Sequence, residues 1–142
     1  MARRQIIGMQ TLQWLGMGLL AVLAGCSSTD KSPPEQLISN PAATVAMKWH
    51  SFNPKTVTIQ QGQTVQWHNT TPISHTVTCD PDMAKKPGDV ILPSGATPFD
   101  SGRIHKDYQY TFTVPGTYRY ICIPHESMGM IGEVIVQPAT KP

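Results

Sequence analysis

Charge is scarce in this chain, and what there is nearly cancels. Only 14% of the 142 residues are Asp, Glu, Lys or Arg, with 11 basic against 9 acidic. Two of the basic residues, Arg3 and Arg4, precede an apolar stretch at the start of the chain, so the remainder carries 9 basic (11 − 2) against 9 acidic residues. A near-neutral body without a basic patch interleaved with aromatics excludes a nucleic-acid surface and gives no strong field to steer a charged partner. Sustained helical periodicity is also missing, so no long amphipathic helix is expected. Cysteine is sparse, with three residues, and histidine little commoner, with five. Against that background the stretch "YICIPHESMGMIGEV" (Tyr120 to Val134) is unusual, because it gathers one Cys, one His and two Met into a single turn.

The apolar stretch runs from Ile6 through Trp14 to Leu23 and closes in Leu23-Ala24-Gly25-Cys26. A basic start, a short apolar segment and small residues at its end read as a secretory signal. The Cys directly after them resembles a bacterial lipobox, which implies cleavage before Cys26 and a lipid on its thiol. A membrane-spanning helix is the alternative, but Gln10, Gln13, the glycines and the short length fit it poorly. Arg3-Arg4 also admits a twin-arginine export reading, on a thin flanking consensus. The expected organisation is a signal peptide over 1–25, a lipidated Cys26 with a Ser- and Pro-rich tether over 26–43, a folded domain over 44–138 and a tail over 139–142. The expected location is the cell envelope, lipid-anchored and facing the periplasm or exterior. Ser27 after the lipid-bearing Cys points to the outer membrane where a cell has two membranes.

The folded part reads as β. "TVAMKWHSF" is one strand candidate, "KTVTIQQGQTVQWHN" is two runs about a turn at Gln61-Gly62, and "SHTVTCD" alternates. "YQYTFTVPGTYRYIC" is two runs broken at Pro115-Gly116, and "IGEVIVQ" closes the chain. Short strands with frequent turn signals predict a single all-β domain, an antiparallel sandwich or barrel. The Pro- and Gly-rich stretch from Pro81 to Gly102 is an excursion between strands, with one helical turn expected at Met83 to Lys86.

In the last turn Cys122 ends a strand on the face shared by Tyr118 and Tyr120. His125 follows at +3, Met128 at +6 and Met130 at +8. A thiolate, an imidazole and a thioether together suit a soft or borderline metal, and copper best, because copper commonly recruits Met beside Cys and His. One turn cannot enclose the ion. His75 in "NTTPISHTVTC" is placed to bring a second imidazole from another strand.

"VQWHN" (Val65 to Asn69), then His75, then "GTYRYICIPHESMGMIG" (Gly116 to Gly132) resembles the cupredoxin family, with spacing similar to plastocyanin and pseudoazurin. The resemblance implies a Greek-key β-sandwich with one type 1 copper per chain, cycling between Cu(I) and Cu(II) as a one-electron carrier and not an enzyme. It implies Cys122 as thiolate ligand, His75 and His125 as imidazole ligands and Met130 as weak axial ligand. Met128 stays open as the alternative, since shorter-looped members such as amicyanin take Met at +6. Pro124 stiffens the turn. Many members carry Asn directly after the first His; here Thr76 stands there, and its hydroxyl is expected to make a similar bond toward the Cys segment. Electrons would pass through His125, within an apolar docking patch formed by Pro72, Ile73, Pro124 and Met128. The partners implied are redox proteins, such as cytochromes or membrane oxidoreductases, approached by a monomer tethered to the membrane.

His50, His68 and His105 are expected to be surface or structural residues, and Trp67 core. No further His cluster supports the extra copper sites of an oxidase or nitrite reductase. Cys79 shares parity with His75 and Val77 and is expected to be free and buried; a Cys79–Cys122 disulfide is the alternative. A zinc site on Cys122, His75 and His125 leaves the Met unexplained. A copper carrier or chaperone is the second functional reading, although a strand-held Cys between two His favours retention over delivery.

Overall fold

The computed structural model describes residues 40–140. The expected signal peptide, Cys26 and nearly all of the tether lie outside the described residues. Nine strands are formed there: β1 (Ala43–Met47), β2 (Phe52–Asn53), β3 (Thr56–Gln60), β4 (Thr64–Asn69), β5 (Thr78–Cys79), β6 (Phe99–Asp100), β7 (Asp107–Thr111), β8 (Gly116–Ile121) and β9 (Ile131–Gln137). They make two sheets, one ordered β2-β1-β4-β7 and the other β3-β9-β8-β5-β6. The fold is all-β, as expected.

Alternation places the core. In β4, Val65, Trp67 and Asn69 are buried while His68 is exposed; in β9, Gly132, Val134 and Val136 are buried. These side chains stand on one face of their strands because the pleat has a period of two. Trp67 is fully buried. Its ring meets those of Tyr120, Tyr108 and Phe112 at centroid distances of 5.3, 5.8 and 6.3 Å. Phe52 packs edge-on to Tyr120 at 4.8 Å. Aromatic contacts in this range add about 0.5–1.5 kcal/mol each beyond the area they bury. The sandwich interior is therefore an aromatic block flanked by Val45, Met47, Val134 and Val136.

Three local expectations need correction. The sheets are mixed rather than antiparallel: β1 runs parallel to β4 (Ala43↔Val65 through Met47↔Asn69) and β3 parallel to β9 (Thr56↔Glu133 through Gln60↔Gln137). The chain leaves the first sheet after β2, enters the second as β3 and returns as β4, so strands meet that no hairpin joins. "TVAMKWHSF" is also two strands. The Lys48 N–H donates to Ser51 O at 2.8 Å, folding β2 back on β1 and leaving Trp49 and His50 at the bend. Finally, the helical turn lies at Pro81–Met83, ahead of the expected position. Asp80 caps it by accepting from the Asp82 N–H, and Pro81 stands at its first position, where a missing N–H is harmless.

β8 and β9 pair from Gly116↔Val136 to Ile121↔Ile131. Within that ladder Gly132 lies opposite Tyr120, and a Cβ at Gly132 would run into the Tyr120 ring. Overpacking of this kind costs about 1–3 kcal/mol. Gly132→Ala should therefore lower the denaturant midpoint by a corresponding amount with the slope unchanged. An unaltered midpoint would mean the Tyr120 ring has room to retreat.

Candidate metal centre

The β8–β9 ladder ends at Ile121↔Ile131, and the next residues inward are Cys122 and Met130. The Cys122 N–H donates to Met130 O at 3.1 Å, extending the ladder by one rung. Between them a short 3-10 helix, Ile123–Met128, carries His125. Pro124 stands in its first turn, where its fixed φ suits the helix. The His125 N–H donates to Cys122 O at 2.9 Å and the Met130 N–H to His125 O at 3.2 Å. Gly129 ends the helix at φ 78°, a left-handed conformation that suits glycine, and its N–H returns to Glu126 O at 2.8 Å.

His75 comes from the connection between β4 and β5. It forms an isolated bridge with Ile104, giving and receiving backbone bonds of 3.1 and 2.9 Å. The ligand atoms of His75, Cys122 and His125 all lie within 4.8 Å of one another. Cys122 Sγ is 3.6 Å from His75 Nδ1 and 3.3 Å from His125 Nδ1. His75, Cys122 and Met130 are fully buried and His125 partly so. Met128, by contrast, is 60% exposed. The two methionines are thus separated: Met130 is enclosed at the site, and Met128 faces solvent.

Outer contacts fix the orientation of the donors. The Thr71 hydroxyl donates to Asn69 Oδ1 at 2.9 Å and lies 3.0 Å from His75 Nε2. With its single proton committed to Asn69, the hydroxyl accepts from Nε2–H, which leaves the Nδ1 lone pair facing the sulfur. The Thr76 N–H donates to Cys122 Sγ at 3.3 Å, and the Ile123 N–H donates to Thr76 Oγ1 at 2.8 Å. Thr76 therefore makes the cross-link to the Cys segment expected of it. Thr78 Oγ1 supports it with a 3.1 Å bond.

Burial lowers the pKa of His75, with the nearby His125 and His50 adding to the shift. Burial likewise lowers that of His125, joined by His50 and Arg103. Both imidazoles therefore offer neutral lone pairs in the neutral range. Burial raises the Cys122 pKa, opposed chiefly by the Thr76 and His125 bonds. A bound cation reverses that balance, because a coordinated thiol is deprotonated outright. A sulfur, two imidazoles with inward lone pairs and a buried thioether fit copper.

The other candidates fall as follows. Pro72 and Met128 are exposed, with Ile73 and Pro124 half-buried. His68 faces outward and pairs with Asp107 at 2.7 Å. His50 is exposed, but its ring packs against that of His125 at 5.2 Å, beside Trp49, which is 56% exposed. Cys79 is a free, buried thiol whose sulfur lies 3.4 and 3.5 Å from the acceptors Ile91 O and Arg119 O, so the disulfide alternative is set aside. Sequence reasoning did not identify Asn69, Thr71, Glu126 or the His50 contact. The "NTT" before Pro72 was a usable signal, since Asn readily accepts from the residues after it. Glu126 and His50 carried no comparable cue.

Comparison with known proteins agrees with this geometry. A family model described as copper binding proteins, plastocyanin/azurin family, matches residues 40–137. The plastocyanin of Scenedesmus fuscus is 36% identical over 94 residues, 61% of this chain and 86% of that protein. The chloroplastic plastocyanin of Tetradesmus obliquus is also 36% identical, but the chain spans 58% of its length. The plastocyanin of a Synechococcus strain is 32% identical over 117 residues, 70% of this chain and 79% of that one. Among solved structures, a reduced amicyanin variant superposes with a TM-score of 0.55 at 26% identity, covering 70% of this chain and 86% of the other. A pseudoazurin from Sinorhizobium does so with 0.55 at 26%, covering 68% and 75%.

Two measurements test the site. Removing the Thr76 hydroxyl while keeping its shape, Thr76→Val, strands the Ile123 N–H; an unpaired buried donor costs about 1–3 kcal/mol. The apoprotein should lose stability in that range by chemical denaturation, and a loss below a few tenths would mean that water serves the N–H instead. Burial, with Asp80 adding, pushes the Cys79 pKa up to about 12. Cys79 should therefore resist iodoacetamide at pH 8 in the folded protein and react after unfolding, as read by mass spectrometry. Rapid alkylation of the folded protein would show that the thiol is reachable.

Proposed function

The chain belongs to the plastocyanin/azurin family of copper-binding proteins, and on that premise we propose that it is a one-electron carrier whose copper is held by His75, Cys122, His125 and Met130. The supporting observation is the prearranged donor cluster, three ligand atoms within 4.8 Å brought together from two segments by backbone bonds. Bound copper supplies the redox couple, gaining and losing one electron between Cu(I) and Cu(II).

The residues of this chain do the rest. Thr71 holds the His75 ring, Thr76 holds the Cys122 sulfur, and the turn closed on Met130 keeps the thioether enclosed. Donors fixed in this way move little between oxidation states, so the energy needed to rearrange them is small. His125 is the partly exposed member and the route by which an electron enters or leaves. Pro72, Ile73, Pro124 and Met128 form the docking patch beside it. Partners are redox proteins bound briefly through a small interface. The signal-like segment ending at Cys26 supports a lipid-anchored protein of the cell envelope, facing the periplasm or exterior.

The test is visible absorption and electron paramagnetic resonance of the purified full chain after addition of Cu(II). An intense thiolate-to-copper charge-transfer band with narrow copper hyperfine splitting is expected, and both should vanish in Cys122→Ser. A colourless protein, or an ordinary tetragonal copper signal, overturns the carrier reading in favour of copper delivery.

A further inference from the structure

Among the described residues Glu126 is the only acidic side chain that is buried, at 2% exposure. It directly follows His125 in the ligand turn. Its Oε1 accepts the N–H of Lys85 at 2.8 Å and of Lys86 at 3.2 Å. Both donors belong to the long excursion between β5 and β6, far away in sequence. Its Oε2 is buried without a hydrogen-bond partner.

Burying a carboxylate is costly unless it is well bonded, and an apolar side chain of similar volume would fill the same space at lower cost. What the carboxylate offers instead is direction. Two consecutive backbone N–H groups converging on one oxygen form an anion-binding concavity, and charge-assisted bonds of this kind are about twice as strong as neutral ones. The backbone of the same residue closes the turn, because Glu126 O accepts the Gly129 N–H. Glu126 thus joins the ligand turn to a segment that supplies no ligand itself.

We propose that Glu126 is a positioning residue for the copper centre, clamping the His125 turn onto the backbone of Lys85 and Lys86 and so slowing release of the metal. The proposal rests on the copper reading given above. It assigns a role to the excursion at residues 80–98 as an outer brace of the ligand turn. Outer partners of metal ligands commonly change metal retention by 10–100-fold.

The test uses the full chain, copper-loaded and copper-free, with three variants. Glu126→Ala removes the clamp. Glu126→Gln keeps an oxygen that can accept both N–H groups. Val136→Ala weakens the core at the far end of β9 and controls for general loss of stability. Copper release to excess chelator should be about tenfold faster or more in Glu126→Ala. It should stay within roughly threefold of the parent in Glu126→Gln, which retains the weaker neutral bonds. Val136→Ala should leave it unchanged. Hydrogen exchange at the Lys85 and Lys86 amides should be slow in the parent and fast in Glu126→Ala. Release from Glu126→Ala no faster than from Val136→Ala overturns the proposal, as does a Gln variant as leaky as the Ala variant. Should Glu126→Ala fail to fold, Glu126→Gln and the parent's amide protection decide, and unprotected Lys85 and Lys86 amides overturn the clamp. Failure of the copper reading shows separately as a missing charge-transfer band, while amide protection remains readable in the copper-free protein.

Discussion

The metal-site end of the β8–β9 ladder is the constraint on which the metal centre depends. Six register pairs run from Gly116↔Val136 to Ile121↔Ile131, and the Cys122 N–H to Met130 O bond adds a rung beyond them. The separation of Cys122 and Met130 is therefore set by strand spacing, not by the intervening loop. The residues between them have only to span a fixed gap, and the 3-10 helix with its left-handed Gly129 does so. His125 sits on that helix with its backbone bonded to both ends of the turn. Three of the four donors are thus positioned by one hairpin whose stem is anchored in the core by Tyr118, Tyr120 and Val134. The fit of Gly132 beneath the Tyr120 ring keeps that stem close.

The fourth donor has to be brought to this hairpin from elsewhere, and two opposed bonds achieve it. The Thr76 N–H reaches Cys122 Sγ while the Ile123 N–H reaches back to Thr76 Oγ1. The segment at His75–Thr76 is thereby locked to the one at Cys122–Ile123 in both directions. Behind it, Asn69 at the end of β4 accepts from Thr71, and Thr71 faces His75 Nε2. β4 thus ends in Asn69, which acts on His75 through Thr71, and β5 begins with Thr78, which bonds Thr76. A centre assembled this way has little freedom to relax when its charge changes, as one-electron exchange requires.

The spacing of Cys122, His125 and Met130 was legible because all three lie on one turn, where sequence separation and spatial separation nearly coincide. The core position of Trp67, beside an outward His68, was legible from alternation, since the pleat fixes which side chains share a face. The sequence left Met128 open beside Met130, and burial of Met130 against exposure of Met128 favours Met130. Strand direction was less accessible: β1 and β3 each lie parallel to a strand from a distant part of the chain, and alternation says nothing about direction. The Lys85 and Lys86 contacts of Glu126 and the His50 ring against His125 were invisible for a related reason. They join segments that meet only through the whole topology, and no local pattern marks either partner.

The distribution of buried polar groups ties these points together. Among the described residues six polar or charged side chains are buried, and five of them, Asn69, His75, Thr76, Thr78 and Glu126, belong to the bonded network at the metal end, leaving Thr64 apart. The rest of the core is apolar and aromatic. Burying a polar group without a partner is destabilising, so a fold selected for stability alone would have little reason to concentrate them. Here the five at the metal end each face a ligand or bond to a segment that carries one, so buried polar side chains gather where donor geometry needs them. The apolar block supplies the free energy of folding, and the polar end converts that stability into fixed positions for a sulfur, two imidazoles and a thioether.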